Sequence, residues 1–255
     1  MRGIRRLVWL VPALLLVAGI RPAPIASAES SKPGDDDTFR PTVMVHKGKA
    51  LGTGTVIASL EGVTLVLTAS HVVEDPGPLT VDLNRFNLGL EKTRGGGAFP
   101  RSLRATIAAR DPATDLAVLE IRGQLALPYV AKMARGDFPP APGTVVTSIG
   151  FDLGQKLIGM TTTVRAIEQI DLGKGGGHRR FLVTENPPEH GRSGGGLFRT
   201  DGALVGVCTA KAEFDKGVVK GVFTTLGNIK ALLRAHEDLT RTIILSNSRP
   251  KGPIR

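Results

Sequence analysis

Ser193 stands inside Gly191-Arg192-Ser193-Gly194-Gly195-Gly196-Leu197-Phe198, a glycine run that leads straight into an apolar segment. Glycine admits φ > 0 and close backbone approach at an entropic cost that a plain loop does not recover. A serine hydroxyl is a weak nucleophile unless a base takes its proton and donors hold the oxyanion that forms. The backbone N–H groups of Gly191 and Ser193 are the candidate donors. A flexible glycine loop is the plain alternative, and partners elsewhere in the chain decide between the two.

Histidine is the usual general base, because its unperturbed pKa of ~6.5 lies near working pH. The candidates are His46, His71, His178, His190 and His236. His71 closes the strand-like stretch Thr68-Ala69-Ser70-His71-Val72-Val73, where small residues let a neighbouring strand pack closely while the imidazole faces a cleft. A strand-end histidine without a role is the rival. The third member is a carboxylate that fixes the imidazole tautomer and stabilises the imidazolium. Asp115 opens the apolar strand Leu116-Ala117-Val118-Leu119, where an inward charge needs a partner. Asp111, at an Asp-Pro step, reads as a turn residue. Only folding unites these three positions.

The elements that must position them are short strands. With 4% aromatics, 32 glycines and many β-branched residues, the 255-residue chain favours an all-β fold rich in turns. A first set of about six strands covers Thr42–His46, Gly52–Leu60, Val63–Ser70, Leu79–Leu83, Arg101–Arg110 and Leu116–Ile121, with Glu61-Gly62 as a hairpin turn. Residues 123–142, with Pro128, Pro139, Pro140 and Pro142, read as a crossing linker. The second set is Thr144–Phe151, Lys156–Ile170, Arg179–Glu185, Gly196–Phe198, Ala203–Thr209 and Val218–Phe223, turning at Asp201-Gly202. Leu88–Pro100 and Gly173–Gly177 read as loops. Leu226, Ile229, Leu232 and Leu233 repeat at helical spacing and predict one short C-terminal helix over 226–239. The expectation is two six-stranded antiparallel β-barrels, about 41–122 and 143–225, with that helix appended.

Both ends lie outside this domain. Arg2, Arg5 and Arg6, the apolar stretch Leu7 to Ile20, and Ala26-Ser27-Ala28 have the three regions of a signal peptide over residues 1–28. The apolar run is short for a transmembrane span and contains Pro12, although an uncleaved anchor is the alternative. Residues 29–40 read as a disordered lead-in and 240–255 as a disordered tail. Cleavage after Ala28 removes four arginines and lowers the formal charge from +10 to +6. The remaining basic residues are scattered without interleaved aromatics, so they read as solvated surface and nucleic acid is not an expected partner. Cys208 is the only cysteine, so no intrachain disulfide supports the fold despite the expected export to a periplasmic or extracellular space. It reads as a small buried hydrophobe.

Taken together, Gly52-Thr53-Gly54-Thr55-Val56-Ile57, Thr68-Ala69-Ser70-His71-Val72-Val73, Asp111-Pro112-Ala113-Thr114-Asp115-Leu116-Ala117-Val118-Leu119 and Gly191-Arg192-Ser193-Gly194-Gly195 resemble the trypsin-like serine proteases of the HtrA type. The resemblance covers roughly residues 42–235. It implies a double barrel with His71, Asp115 and Ser193 as a triad in the cleft, and an oxyanion hole from the N–H groups of Gly191 and Ser193. It also implies that the strand Gly206-Val207-Cys208-Thr209-Ala210 pairs with extended substrate through Cys208, Thr209 and Ala210. Pro187 would lie near the base of the primary pocket. No acidic residue is assured there, so small or medium apolar side chains are expected over Lys or Arg. His190 reads as a surface residue.

The departures are informative. Arg192 stands where the family usually has Asp or Asn, so it cannot pair with a freed N-terminus, and there is no Ile-Val-Gly-Gly-like activation site. Gly196 replaces a commoner Pro or Ala and is expected to loosen the loop. Residues 240–255 leave no room for a PDZ-like domain, which is not expected here. The reading is an exported serine endopeptidase acting on polypeptides through an acyl-enzyme, without metal or cofactor; its oligomeric state is open. One alternative is a trypsin-fold peptide-binding module without turnover. Another is the esterase elbow, since Gly191 to Gly195 satisfies G-x-S-x-G, but that elbow requires a helix after the serine, and here the sequel reads as strand and turn.

N-terminal sequencing of the exported protein should begin at Glu29. Because Trp9 is the only tryptophan, retained tryptophan fluorescence would overturn both cleavage and a tryptophan-free mature chain.

Overall fold

The computed structural model describes residues 36–83, 101–124, 126–171, 178–214 and 217–249. The signal segment and the two loops expected at Leu88–Pro100 and Gly173–Gly177 lie outside these residues, as do 29–35 and 250–255.

In the first half, β1 (Thr42–Lys47), β2 (Ala50–Leu60), β3 (Val63–Thr68), β4 (Leu79–Leu83), β5 (Arg101–Arg104), β6 (Thr106–Asp111) and β7 (Leu116–Arg122) form an antiparallel sheet ordered β5-β4-β1-β2-β3-β7-β6. It has seven strands where six were expected. The stretch Arg101–Arg110, read as one strand, bends at Ala105, whose N–H bonds the Leu79 carbonyl at 3.1 Å. β5 pairs with β4 on one edge and β6 with β7 on the other. One bent ribbon therefore joins both edges of the sheet and leaves neither far from its continuation.

In the second half, β8 (Val145–Asp152), β9 (Lys156–Asp171), β10 (His178–Thr184), β11 (Gly196–Arg199), β12 (Leu204–Glu213) and β13 (Val219–Thr225) close a six-stranded barrel. The double-barrel fold is the one expected. Gly62 and Gly202 take φ of +85° and +79° at the two hairpin turns, the left-handed backbone that glycine alone adopts freely.

Alternation along the strands fills each half, and a third core joins them. Val43, Val45, Val66 and Leu119 pack inside the first half, and Val146, Leu182, Leu197 and Phe223 inside the second. Between them, Ile57, Leu65, Leu67 and Val118 meet Ile149, Phe198, Leu204 and Val207 in one cluster. The linker is stitched to both sides, through Ala131 N–H to the Val56 carbonyl at 2.8 Å and Leu204 N–H to the Lys132 carbonyl at 2.8 Å.

Two expectations at the ends are corrected. The lead-in does not extend to residue 40: Phe39 is buried in the cluster between the halves, and Arg40 lies 4.5 Å over the Tyr129 ring. One aromatic inside a polar stretch is enough to dock it. Nor is there one helix over 226–239 followed by a disordered tail. α1 (Leu226–Arg234) starts at the Thr225 cap, and α2 (Glu237–Asn247) follows after Ala235-His236. Leu239 and Ile243 bury one stripe of α2, while Ser246 Oγ accepts the Ser59 N–H at 2.9 Å and Arg249 donates to the Ser59 carbonyl at 3.1 Å. Two apolar residues four apart carry this helix, too weak a period to stand out beside Ile244 and Leu245, which are exposed. Among the described residues, no helix is long and apolar enough to cross a membrane.

Phe39→Ala should lower stability by about 3 kcal/mol through the cavity it leaves, read as a shifted urea midpoint. An unchanged midpoint would return residues 36–40 to a lead-in outside the fold.

Candidate functional site

His71 does not end a strand. It opens a single 3₁₀ turn (His71–Val73) after Ala69-Ser70 at the end of β3, which leaves its side chain 28% exposed while Val72 and Val73 are buried. This shoulder is braced from β6: Arg110 donates to Ser70 Oγ at 2.7 Å and pairs with Glu74 at 2.5 Å. Nothing in the sequence marked Arg110, Ser70 or Glu74 as support for the histidine, since their contact depends on the bent ribbon.

Asp115 follows the turn that Asp111 builds, accepting from Ala113 N–H at 3.0 Å and Thr114 Oγ1 at 2.6 Å. That confirms Asp111 as a turn residue. Asp115 itself takes φ +56°, in the left-handed region that Asp tolerates better than most side chains. Its carboxylate is buried, and its partners among the described residues are both from His71: Nδ1 at 2.9 and 3.0 Å, and the backbone N–H at 2.9 Å. An ionised carboxylate there selects the tautomer with Nδ1 protonated and leaves Nε2 as the basic nitrogen.

The serine loop comes from the other barrel and is bonded across the gap by Thr53 of β2. Thr53 N–H donates to the Ser193 carbonyl at 2.8 Å, and its Oγ1 donates to the Gly191 carbonyl at 2.7 Å. Thr68 Oγ1, three residues before His71, donates to the Thr53 carbonyl at 2.7 Å. A side chain at Gly52 would strike Val72 at 2.6 Å and the Ser193 carbonyl at 3.0 Å, so the 3₁₀ turn and the serine backbone flank one strand position. Ser193 is half-buried. Gly194, at φ +85°, has Thr53 O and Thr68 Oγ1 each 2.2 Å from where a Cβ would stand. The glycines are thus close-approach positions. Gly196 belongs with them: it is buried against Phe198, 2.4 Å from an added Cβ, and does not loosen the loop as expected.

Among the described residues, the N–H groups of Gly191 and Ser193 donate to no protein acceptor, while their neighbours are engaged. Arg192 N–H meets the Glu189 carbonyl at 3.3 Å, Gly194 N–H the Cys208 carbonyl at 2.8 Å and Gly195 N–H the Arg192 carbonyl at 2.9 Å. Two unused donors beside a serine are what an oxyanion requires.

Of the remaining sequence candidates, Cys208, Thr209 and Ala210 lie on β12 at a bulge, where register with β13 slips between Cys208 and Ala210. β11 pairs with β12 only as far as Val207, so among the described residues the stretch beyond Cys208 has β13 as its single strand partner. Pro187 is half-buried in the segment between β10 and β11, tethered through Asn186 N–H to Thr162 Oγ1 at 3.0 Å. His190 is exposed. The Cys208 thiol is buried and pushed up to about 12, first by loss of solvent. It is no nucleophile.

A family profile described as a trypsin-like peptidase domain matches residues 52–207. The chain is 33% identical over 170 residues to the serine endoprotease DegS of Escherichia coli strain K12, covering 66% of this chain and 41% of that protein. It is 28% identical over 176 residues to the periplasmic serine endoprotease DegP of Salmonella typhimurium, covering 68% and 32% respectively. The match thus spans about a third to two fifths of these curated relatives. In fold it is similar to the Rv3671c protease from M. tuberculosis in its active form, with a TM-score of 0.59 at 21% identity over 86% of this chain and 93% of that one.

Since the free thiol of an unfolded chain titrates near 8.5, the unfolded state loses this proton first as pH rises. Cys208 therefore contributes stability that is present below that pH and declines toward 12. Folded protein should resist thiol reagents at pH 8 and react only on denaturation. Rapid labelling of native protein would contradict the burial.

Proposed function

The chain belongs to the trypsin-like peptidase family, and on that premise we propose that it is an exported serine endopeptidase using His71, Asp115 and Ser193. The observation that carries this reading is the grip of the buried Asp115 carboxylate on both Nδ1 and the backbone N–H of His71. A carboxylate spent on two donors of one histidine has no purely structural need for that residue to be histidine.

In this mechanism Ser193 Oγ attacks the scissile carbonyl as His71 Nε2 takes its proton. The developing oxyanion is held by the N–H groups of Gly191 and Ser193, and Asp115 stabilises the imidazolium without taking the proton. His71 then protonates the leaving amine, and the acyl-ester on Ser193 is hydrolysed by water that His71 activates in turn. Extended substrate adds as a strand beside Thr209 and Ala210, where β12 lacks a second strand partner among the described residues. Cys208 shapes that strand from beneath, and Pro187 lies toward the primary pocket, which accepts small or medium apolar side chains. Export rests on the signal-like residues 1–28 and agrees with the periplasmic name of one relative.

A fluorophosphonate should label Ser193 of the mature chain without further trimming. Ser193→Ala should abolish labelling and lower kcat by about 10⁵ to 10⁶ with the fold intact. Asp115→Asn should cost about 10⁴ in kcat through the wrong tautomer. Peptidase activity that survives Ser193→Ala would overturn the mechanism. An intact fold that never labels would favour the peptide-binding module.

A further inference from the structure

Arg192 is among the largest fully buried side chains of the protein, at 1% exposure, and it sits next to the serine. A buried guanidinium is costly unless every donor is met. Here Nε and Nη2 reach Asp152 Oδ1 at 2.8 and 2.6 Å, and Nη1 reaches the carbonyls of Ser148 at 2.7 Å and Ile158 at 3.1 Å. All of these acceptors belong to β8 and β9. Gly150 makes the room, since a Cβ there would stand 2.8 Å from Arg192 Cγ.

The ion pair fixes the turn that follows β8, and that turn touches the serine loop at one peptide. Leu153, held at φ +52°, donates its N–H to the His190 carbonyl at 2.6 Å. The peptide between His190 and Gly191 is planar and trans, so a carbonyl directed at Leu153 turns the Gly191 N–H the opposite way. Thr53 Oγ1 holds the Gly191 carbonyl on the other side. Gly191, at φ +87°, has no room for a side chain, with Phe151 O at 2.6 Å and Gly154 N at 2.8 Å from an added Cβ.

We propose that Arg192 and Asp152 are positioning residues for catalysis: their buried ion pair locks the turn at Leu153, which orients the Gly191 N–H as an oxyanion donor. The orientation is built into the single chain, so it requires no freed N-terminus. This inference rests on the serine-peptidase reading above and assigns how its oxyanion donors are set.

The test uses the mature protein, a chromogenic peptide substrate and a peptidyl trifluoromethyl ketone, whose tetrahedral adduct places an oxyanion on the same donors. Asp152→Asn should lower kcat by about 10², the scale of a lost oxyanion donor, with KM within a factor of about three. Affinity for the ketone should fall by the same factor as kcat/KM. Asp152→Glu, which retains the charge, should recover part of the loss, to within about tenfold of wild type. If Asp152→Asn does not fold, Asp152→Glu decides alone: reduced kcat and ketone affinity at unchanged KM support the inference, and wild-type values overturn it. A lower melting temperature with kcat and ketone affinity unchanged would make the pair purely structural and overturn the inference while leaving the peptidase reading intact. Wild-type protein that neither turns over nor labels at Ser193 would overturn the peptidase reading, and this inference with it.

Discussion

Thr53 holds the two halves of the site in register. Its N–H and hydroxyl bond the carbonyls of Ser193 and Gly191, and its own carbonyl accepts from Thr68, three residues before His71. Each half has its own apolar interior, yet neither contains both the imidazole and the serine. The cluster of Ile57, Leu65 and Leu67 against Ile149, Phe198 and Leu204 brings the barrels together but is non-directional. Hydrogen bonds to main-chain carbonyls are directional, and they fix the serine loop against β2, the strand that Thr68 also bonds. The glycines at 52 and 194 follow from this approach, because the backbones meet where a Cβ would stand.

Around that contact, charge is handled in two separate places. Among the described residues, the buried Asp115 carboxylate bonds only His71, so its charge acts on the imidazole. Arg192 is buried and satisfied by Asp152 and two carbonyls, so its charge is spent on the hairpin. Breaking either set leaves an uncompensated charge away from water, which is far more damaging than the pair is stabilising. Polar groups thus set the geometry of the candidate site, while apolar packing joins the two halves around it.

The succession of strands along the chain and the hairpin glycines were legible because each carries a local signal, and signals of the same kind nominated His71, Asp115 and Ser193. β-branched runs end at Gly, and small residues cluster where backbones approach. The Asp111–Asp115 turn was legible for the same reason. What stayed hidden depended on tertiary contact. Arg192 looked like a departure from pattern because its partner Asp152 is 40 positions away. Gly196 looked permissive because only the packed Phe198 ring shows why a Cβ does not fit. The bend at Ala105 has no proline or glycine to announce it. Phe39 and α2 dock through one or two apolar residues each, below the level at which periodicity can be distinguished from a polar tail.

The proposed catalytic geometry is tested most directly by a crystal structure of the protein after reaction with a peptidyl phosphonate diester. Phosphorus should be bonded to Ser193 Oγ, with the phosphonyl oxygen within hydrogen-bond reach of the Gly191 and Ser193 N–H groups. His71 Nδ1 should remain on Asp115, and Thr53 N–H on the Ser193 carbonyl. An adduct elsewhere, or a phosphonyl oxygen turned away from both donors with the Thr53 bonds broken, would contradict it.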